Sequence, residues 1–552
     1  MKIISWITFS LLCKLSCAID IYSIYQYLKT VDNGVYARYD GITYAAPTIN
    51  NLSSDDQQWL LQTPNIWGNS LDQYNYSESF SRTGQYDHDF NLPLCATNSD
   101  CGPLAKCSTA FFTLNNESLC LMPEHNVLNT MATNIINANY TVDITALGEK
   151  GEDGLTTPTT GRFSLTIKNA LQKLALKSIT SGKIIKVRIL EGSANIFLAH
   201  DLNLYLLFLT QDLPAHNNLE IQVGSVLTCT LVTCHNENPL LDFSSSHAKT
   251  VNIDGTNLIE GGENFWDEEY LGNNPTNDLD INIEGPVASL ATTYSNILWQ
   301  YLINHPKLGS DYCYTYSNGK IIPQCLIPYI GQQGIASNYS GIKVVAMPNS
   351  ELDGNLLDDS SEQSELIRVY AFLNAESSIK ISQQAIFWRD TTLPNSIFPP
   401  KNTIDGNVID ALATAIHLHN VNVSIVTSNF KNGSIFFLVN QKYNSFVPLQ
   451  YIKNSIQNAI VANFKVTTTE ATNETNQLLH LAYIDFNHSN NSTINSHQKF
   501  WMVDDHLFYV GSYNIYLTYL QEYGIIIDSN IAAASINQSF WQPLWNNSDE
   551  AQ

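Results

Sequence analysis

Basic residues are scarce in this chain of 552 residues. It has 27 Lys and Arg against 51 Asp and Glu, which gives a formal charge of −24. Proteins that bind nucleic acid usually carry a basic surface, because contacts with phosphate supply much of their affinity. The shortage therefore argues against extended binding of nucleic acid, although it leaves room for a local basic groove.

Charged residues of both signs together make up only 14% of the chain, whereas hydrophobic residues make up 44%. Disordered chains have the opposite balance, because they cannot bury enough apolar surface to fold. The composition predicts a globular protein, and the length is sufficient for two or three units of domain size.

The chain also lacks a long apolar run beyond its N-terminus. A helix that spans a membrane needs about 20 apolar residues. The run 202–210 is shorter than this and is flanked by Asp201 and Asp212. We therefore predict no transmembrane helix.

The first residues have the pattern of a secretory signal peptide. Lys2 precedes the apolar run 3–12, and Ser16-Cys17-Ala18 offers small residues for cleavage. We predict that residues 1–18 are removed and that the protein is secreted to the extracellular space. Sequons for N-glycosylation fit this location if the host is eukaryotic; several occur, among them those that begin at Asn51, Asn116, Asn139, Asn338, Asn422, Asn432, Asn473 and Asn537.

Two of the ten cysteines, Cys13 and Cys17, lie in the predicted signal peptide. An even number remains in an exported chain, which favours disulfides. Four of the eight are close together with the spacing C-x5-C-x5-C-x12-C, and this predicts a small disulfide-stapled insert at about residues 77–125. The eight are Cys95, Cys101, Cys107, Cys120, Cys229, Cys234, Cys313 and Cys325.

Proximity in sequence predicts the pairs Cys229–Cys234 and Cys313–Cys325. The alternative for Cys229, Cys234 and the adjacent His235 is a metal site. We favour the disulfide, because an exported protein folds in an oxidising compartment.

Hydrophobic periodicity predicts strands and helices that alternate along most of the chain, as in α/β proteins. Strands are expected at 140–144, 183–190, 278–283, 379–386, 421–426 and 500–503, and helices at 162–176, 289–303, 409–417 and 451–461. Two further expectations are a helix that ends at Pro64 and a solvated acidic loop over 351–365.

One stretch has the residue types of a phosphate-handling site. His497 and Lys499 are two residues apart before an apolar run, so a strand would point both side chains the same way. Asp504 completes an H-x-K-x4-D pattern, and Gly511-Ser512-x-Asn514 follows it. An imidazole beside an ammonium group suits an anionic substrate, and phosphate is the obvious candidate.

The same pattern occurs earlier in the chain. His247, Lys249 and Asp254 form a second H-x-K-x4-D, and Gly261-Gly262-x-Asn264 follows at the same offset. In both copies the asparagine comes 17 residues after the histidine. Since strand, helix and strand precede each copy, we predict an internal duplication. The expected fold is α/β, with two similar halves over 19–340 and 341–552 packed pseudo-symmetrically.

Paired motifs of this composition can cleave a phosphodiester. The reaction needs a nucleophile, an acid for the leaving oxygen and donors around the developing charge. One imidazole could attack and the other donate a proton, while Lys249, Lys499, Asn264 and Asn514 hold the phosphoryl oxygens. We predict no metal or other cofactor, because these side chains can stabilise the charge.

The paired motifs resemble the signature of the phospholipase D superfamily, and the chain is most similar to its secreted actinomycete-type branch. The likeness includes Tyr270-Leu271, Asp278-x-Asp280, Ile381-Ser382-Gln383-Gln384 and Leu520-Gln521. It extends over nearly the whole mature chain except the Cys-rich insert, which that branch lacks.

The resemblance implies the phospholipase D fold and a role for each histidine. His247 would be the nucleophile, which forms a phosphohistidine, and His497 would protonate the leaving alcohol. Asp278 and Glu522 stand where the family has a carboxylate against each histidine. Glu522 departs from the usual Asp, because its side chain is one methylene longer.

Other motif residues have expected supporting roles. Asp254 and Asp504 should brace the motifs rather than touch substrate. The small residues are expected to let the backbone approach phosphate closely; they are Gly261, Gly262, Gly511 and Ser512. For Trp266, contact with a lipid headgroup and a place in the core are equally open.

The resulting hypothesis is a secreted, monomeric phospholipase D. It would act on phosphatidylcholine-like lipids at a membrane or micelle surface and yield phosphatidic acid and free headgroup. Water would be the acceptor, and an alcohol could replace it in transphosphatidylation. The alternatives are a nuclease of the same superfamily and a non-catalytic binding protein on this fold. Charge argues against the first, and the intact motifs argue against the second.

Overall fold

The computed structural model describes residues 19–31, 41–47, 59–147, 161–192, 202–229, 244–272, 275–304, 313–331, 341–349, 361–384, 386, 406–428, 449–486, 494–515 and 520–550. The predicted signal peptide lies outside these residues. So do Cys234 and His235, and with them the predicted Cys229–Cys234 pair and its metal alternative.

The described residues form 21 strands. In chain order they are β1 (Thr43–Pro47), β2 (Leu60–Thr63), β3 (Lys106–Thr109), β4 (Ser118–Leu121), β5 (Thr141–Leu147), β6 (Ile185–Gly192), β7 (Leu219–Cys229), β8 (Ser244–Ser245), β9 (Thr250–Ile253), β10 (Asn257–Gly261), β11 (Asp278–Glu284), β12 (Cys313–Ser317), β13 (Lys320–Ile322), β14 (Ile342–Ala346), β15 (Ser378–Gln383), β16 (Asn422–Thr427), β17 (Leu479–Ile484), β18 (Lys499–Val503), β19 (Leu507–Gly511), β20 (Gly524–Asp528) and β21 (Ser548–Glu550).

Helices connect these strands and cover the sheets. They are α1 (Ile21–Val31), α2 (Leu71–Ser79), α3 (Asn126–Asn137), α4 (Arg162–Ser181), α5 (Leu202–Thr210), α6 (Asp267–Tyr270), α7 (Val287–Asn304), α8 (Ser361–Leu373), α9 (Gly406–His419), α10 (Leu449–Phe464), α11 (Thr468–Leu478), α12 (Asn530–Ile536) and α13 (Gln542–Asn546). Within the described residues, no helix is both long enough and apolar enough for a membrane crossing.

The two halves have the same strand order. In the first half, parallel strands β7, β6 and β5 continue into antiparallel strands β9, β10 and β11. In the second half, parallel strands β17, β16 and β15 continue into antiparallel strands β18, β19 and β20. The predicted α/β fold with two similar halves is confirmed, and each motif follows three parallel strands of its own half.

Two elements connect the halves. Strand β1 pairs with β14 through residues 43–45 and with β11 through residues 46–47, so it belongs to both sheets. Helix α7 packs on the first sheet and on β14 of the second, with Trp299 fully buried. Helix α1 packs against α8, which places the first described helix on the second half.

Most predicted elements occur, but two expectations were wrong. Residues 60–63 form β2 rather than the end of a helix, because they pair with β11 beside the first motif. The predicted acidic loop ends earlier than expected, since α8 begins at Ser361. Within it Glu365 is buried and forms an ion pair with Arg368, whereas 351–360 lie outside the described residues.

The predicted Cys-rich insert is a small two-stranded unit. Strands β3 and β4 pair with each other, and disulfides join Cys95 to Cys107 and Cys101 to Cys120. A third disulfide, Cys313–Cys325, confirms that predicted pair. The insert packs on α4, where Lys173 Nζ donates to backbone carbonyls of residues 111 and 113 at 2.9 and 2.6 Å.

Candidate active site

The two motifs meet where the sheets pack together. Each histidine lies just before the first strand of an antiparallel hairpin, β9–β10 in one half and β18–β19 in the other. Strands β10 and β11 pack against β19, so the hairpins converge. The rings of His247 and His497 are 6.4 Å apart between centroids, with 74° between their planes. Reacting atoms sit about 3–3.5 Å apart in a near-attack geometry. Two ring nitrogens on opposite sides of one phosphorus would therefore be about 6–7 Å apart.

Each imidazole is paired with a carboxylate of the other half. His247 Nδ1 lies 2.9 and 3.0 Å from the two carboxylate oxygens of Glu522. His497 Nδ1 lies 2.8 Å from Asp278 Oδ2. A carboxylate on Nδ1 fixes the tautomer and directs Nε2 away from the carboxylate. The pairs are therefore reciprocal, and the site needs both halves.

Backbone hydrogen bonds between the halves place each histidine beside the carboxylate of the other half. The His247 amide donates to the carbonyl of Gln521 at 2.7 Å, and the His497 amide donates to the carbonyl of Asn277 at 2.8 Å. Each of those carbonyls belongs to the residue just before the paired carboxylate. A short parallel bridge between the halves thus carries each histidine to its partner.

Both motif lysines are buried beside their histidines. Lys249 and Lys499 are 1% and 2% exposed, and each donates to the backbone carbonyl of the histidine two residues earlier. Lys499 Nζ also lies 2.8 Å from His497 Nδ1. The two buried lysines bring charged hydrogen-bond donors into this acidic protein, and such donors suit a phosphate.

The motif asparagines are buried with unused hydrogen-bonding capacity. Asn264 and Asn514 are each 1% exposed. Among the described residues, neither Oδ1 nor Nδ2 of Asn514 has a hydrogen-bond partner, and Oδ1 of Asn264 has none. Buried amides are normally satisfied, so an unpaired one beside paired imidazoles and ammonium groups is expected where a ligand binds.

Burial and neighbouring charges shift the titration of the site. Burial, helped by both lysines, holds the pKa of His247 well below its usual value. The pKa of His497 is lowered to about 3 by burial and by Lys499. Burial also raises the pKa of Glu522 to about 7 and lowers that of Lys249 to about 7. Both imidazoles are thus neutral at neutral pH, and a bound phosphate anion would raise the pKa of His497 toward that of an acid.

These shifts predict a bell-shaped pH dependence of kcat/KM, which reports on the free enzyme. Below about pH 7 the Glu522 carboxylate becomes protonated and no longer accepts from His247. Above about pH 7 Lys249 loses the proton that gives it a charge for the phosphoryl oxygens. We expect a maximum near pH 7, measured as kcat/KM on a soluble short-chain substrate.

Glu522→Gln isolates the acid limb of that profile, because the amide does not titrate. The acid limb should move to lower pH, toward the depressed pKa of His247. An acid limb that stays at the wild-type position would assign it to another group.

The motif aspartates brace the backbone. Asp254 accepts hydrogen bonds from the amides of residues 139–141 at 2.9, 2.8 and 2.7 Å. Asp504 accepts from the amides of residues 376–378 at 2.9, 2.7 and 3.0 Å. Both have positive φ, 55° and 52°, a conformation that Asp adopts more readily than most residues. Each aspartate therefore joins its motif to the start of the first parallel strand.

Replacing either brace should lower stability. Asp254→Ala and Asp504→Ala each leave three backbone amides without their acceptor, and we expect a loss of about 2–4 kcal/mol in the free energy of unfolding. Urea denaturation measures this loss. Turnover by the folded fraction should change only a few-fold; unchanged stability with turnover abolished would instead place these carboxylates in the chemistry.

The small motif residues contact protein atoms of the neighbouring strand. A Cβ on Gly262 would meet Asp278 Oδ1 at 2.3 Å, so only glycine fits above that carboxylate. Gly261 and Gly511 are likewise packed against β11 and β20. The Ser512 hydroxyl donates to Glu522. Trp266 is 6% exposed and packs in the core of the first half. Their predicted contact with substrate stays a prediction.

Tyr270 supports the second histidine, a role that motif spacing did not predict. Its hydroxyl lies 3.0 Å from both Asp278 Oδ2 and His497 Nδ1. Arg162 fixes the helix that carries Tyr270, since its guanidinium donates to the carbonyl of Leu271 at 3.1 Å. The same guanidinium contacts Glu78 at 2.7 Å, which links the helix to the Cys-rich insert. Only the resemblance in the segment Tyr270-Leu271 pointed here.

Potential metal ligands are grouped at one place among the residues that the structure describes. The group consists of Cys95, Cys101 and Cys120, and all three sulfurs are in disulfides. The paired histidines and their carboxylates do not form such a group.

Fold and site together define a class of protein: a duplicated α/β phosphodiesterase with one histidine, one lysine and one asparagine from each half. The chain is 24% identical to the phospholipase D of Streptomyces antibioticus over 563 residues, which cover 94% of this chain and 85% of that protein. No protein-family model matches the chain.

Two solved structures show partial overlap with this chain. One is the phosphatidylserine synthase of Haemophilus influenzae Rd KW20, with 13% identity, a TM-score of 0.44 and coverage of 84% of this chain and 90% of that one. The other is Nuc, a phospholipase D family member from Salmonella typhimurium, with 16% identity, a TM-score of 0.23 and coverage of 38% and 97%.

The paired motifs thus assemble into one site, and the chain is similar to a phospholipase D along 94% of its length. Its enzymatic class is that of a phosphodiesterase of the phospholipase D type.

Proposed function

We propose that this protein is a secreted phospholipase D that hydrolyses phosphatidylcholine-like lipids to phosphatidic acid and free headgroup. The observation that carries the proposal is the reciprocal pairing of His247 with Glu522 and of His497 with Asp278. It supplies two oriented imidazoles on one phosphoryl position. Similarity to a phospholipase D over 94% of the chain favours a lipid substrate.

The first step transfers the phosphatidyl group to the enzyme. His247 Nε2 attacks phosphorus and forms a P–N bond, while the P–O bond to the headgroup breaks. His497, protonated on Nε2 in the complex with the anionic substrate, gives its proton to the leaving oxygen. Lys249, Lys499 and the two motif asparagines donate to the phosphoryl oxygens.

The second step releases the product. Neutral His497 takes a proton from water, the water oxygen attacks phosphorus and the P–N bond to His247 breaks. The products are phosphatidic acid and a regenerated imidazole. An alcohol in place of water would give the transphosphatidylation product. The site residues of this chain account for every proton in both steps.

Export fits the disulfides and the N-terminal pattern. The six cysteines in the disulfides Cys95–Cys107, Cys101–Cys120 and Cys313–Cys325 are what an oxidising compartment favours. We propose that residues 1–18 are a signal peptide, that the halves divide at about residue 340 and that the mature protein acts as a monomer. Edman sequencing of the secreted protein would test the cleavage after Ala18.

The experiment for the function gives the purified protein phosphatidylcholine vesicles in the presence of ethanol. Phosphatidylethanol should appear beside phosphatidic acid, because an alcohol and water compete for the same intermediate. Inactive His247→Ala and His497→Ala variants exclude a contaminating lipase. Absence of product from any phospholipid, with cleavage of single-stranded DNA, would favour the nuclease alternative.

A further inference from the structure

In the second half, three side chains hold consecutive backbone groups around the motif asparagine. The amide of Tyr513 donates to the Tyr509 hydroxyl at 3.1 Å. The carbonyl of Asn514 accepts from Arg368 at 3.2 Å, and the amide of Ile515 donates to Gln383 Oε1 at 3.2 Å. Between these fixed groups, the side-chain amide of Asn514 has no hydrogen-bond partner among the described residues. The protein thus fixes the backbone and leaves the amide for a ligand.

The first half holds the matching amide with a different residue. The amide of Glu263, one residue before Asn264, donates to Asp280 Oδ1 at 3.0 Å. Asp280 lies on β11, whereas Tyr509 lies on β19, the strand that leads into the second motif glycine. The same backbone group is therefore held from two different strands.

The register of the strands explains why the two solutions differ. Gly261 faces Asp280 across β10 and β11, and at the corresponding place Gly511 faces Gly524. A Cβ on Gly524 would come within 2.3 Å of the Tyr509 hydroxyl. The tyrosine ring occupies the space beside Gly524, and in the first half the carboxyl of Asp280 lies beside Gly261. Gly524 and Tyr509 together thus hold the amide whose counterpart in the first half is held by Asp280 alone.

Burying polar groups such as these costs free energy, so their burial beside the motifs indicates a role there. Tyr509 is 4% exposed and stacks on Trp501 with ring centroids 5.8 Å apart. Asp280 is 1% exposed, and its Oδ2 has no hydrogen-bond partner in the described part of the chain. Burial, with the charge of Asp278, raises the pKa of Asp280 to about 8, so a neutral acid accepts from Glu263 at neutral pH.

We propose that Tyr509 and Asp280 are positioning residues: each holds the amide before its motif asparagine and so directs Asn514 and Asn264 at the phosphoryl oxygens. This inference rests on the proposed function, because it needs a phosphoryl group as the ligand. It adds two residues that act through the asparagines rather than on the substrate.

A double-mutant cycle tests the inference. Tyr509→Phe removes only the hydroxyl, and we expect kcat to fall about tenfold with KM nearly unchanged, because the misdirected amide acts in the transition state. In an Asn514→Ala background the same change should cost less than about twofold. In an Asn264→Ala background it should keep its full effect. Equal losses in all three backgrounds would overturn the proposal and give Tyr509 a general structural role.

Matched variants control for packing and for loss of a hydrogen bond. Tyr316→Phe removes another largely buried hydroxyl, which accepts from Asn217 at 3.1 Å outside both motifs, and should leave kcat unchanged. Asp280→Asn keeps an acceptor for the Glu263 amide and should stay within about threefold of wild type, whereas Asp280→Ala should lose about tenfold. Equal loss in Asp280→Asn and Asp280→Ala would contradict the acceptor role.

Turnover by the wild type separates failure of this inference from failure of the proposed function. If wild type cleaves neither phosphatidylcholine nor phosphatidyl-p-nitrophenol, the proposed function fails. Crystal structures of wild type and Tyr509→Phe then decide the inference on geometry. A displaced Asn514 amide on an otherwise unchanged fold supports it, and an Asn514 amide that does not move overturns it.

Discussion

His497→Ala is expected to trap the covalent intermediate. With phosphatidylcholine, turnover should fall by at least about 10³-fold, because the leaving alcohol and the attacking water both lose their proton-transfer partner. With phosphatidyl-p-nitrophenol, whose leaving group needs no acid, the first step should continue as a burst of nitrophenol. One equivalent of phosphatidyl group should then stay on His247, since no base activates water. Intact-protein mass spectrometry and the burst amplitude measure this.

The reciprocal variant separates the two roles. His247→Ala removes the nucleophile, so it should show neither burst nor adduct with either substrate. His417→Ala serves as the control, because its imidazole pairs with Glu474 on the helical side of the second half and should leave turnover unchanged. An adduct on His497 in the His247→Ala variant would exchange the proposed roles.

Local pattern was enough to predict most elements of the fold. Alternating apolar residues such as Ile185, Val187 and Ile189 of β6 predict a strand, because alternate side chains of a strand point to the same face. Residues 60–63 were misassigned because all four are buried on both faces, and such a run has no alternation to distinguish a strand from a helix. The duplication was visible because the motifs repeat at a fixed distance, whereas the shared strand β1 carries no motif.

The residues of the site likewise fall into those that local sequence predicts and those that it does not. Histidine, lysine and asparagine were predictable because they occur in both motifs at the same offsets. Arg368 holds the Asn514 carbonyl from α8, and nothing in its local sequence indicates this contact. Tyr509 and Asp280 could not be predicted either, because the two halves use different residues to accept from the equivalent amide. An alignment of the two motifs therefore does not match these residues to each other.

The pairing of histidine with carboxylate required the tertiary structure. Glu522 is 275 residues from His247, and Asp278 is 219 residues from His497. Sequence resemblance indicated that both acids serve histidines. That each acid serves the histidine of the opposite half follows from the backbone bridges at Gln521 and Asn277. The halves are therefore interdependent, since neither half alone contains an oriented imidazole.

Asp278→Asn and Glu522→Gln are expected to lower kcat about 10²–10⁴-fold, with KM far less affected. An amide removes the negative charge that stabilises an imidazolium and can select the wrong tautomer. The loss should be larger in Asp278→Asn, because His497 must carry a full proton in the first step and burial with Lys499 already disfavours it. The steady-state rates on phosphatidylcholine provide the measurement.

Double variants show whether each acid acts through the histidine of the opposite half. Asp278→Asn should add little to the loss of turnover in a His497→Ala background. It would slow the nitrophenol-releasing step, which needs no acid, only if Asp278 also supported His247. We expect that step to be spared in Asp278→Asn and slowed in Glu522→Gln, because Glu522 is the carboxylate that contacts His247 Nδ1. Glu522→Asp is the conservative control, since it keeps the charge but shortens its reach to His247 by one methylene. A slowed nitrophenol burst in Asp278→Asn, with Glu522→Gln unaffected, would contradict the crossed pairing.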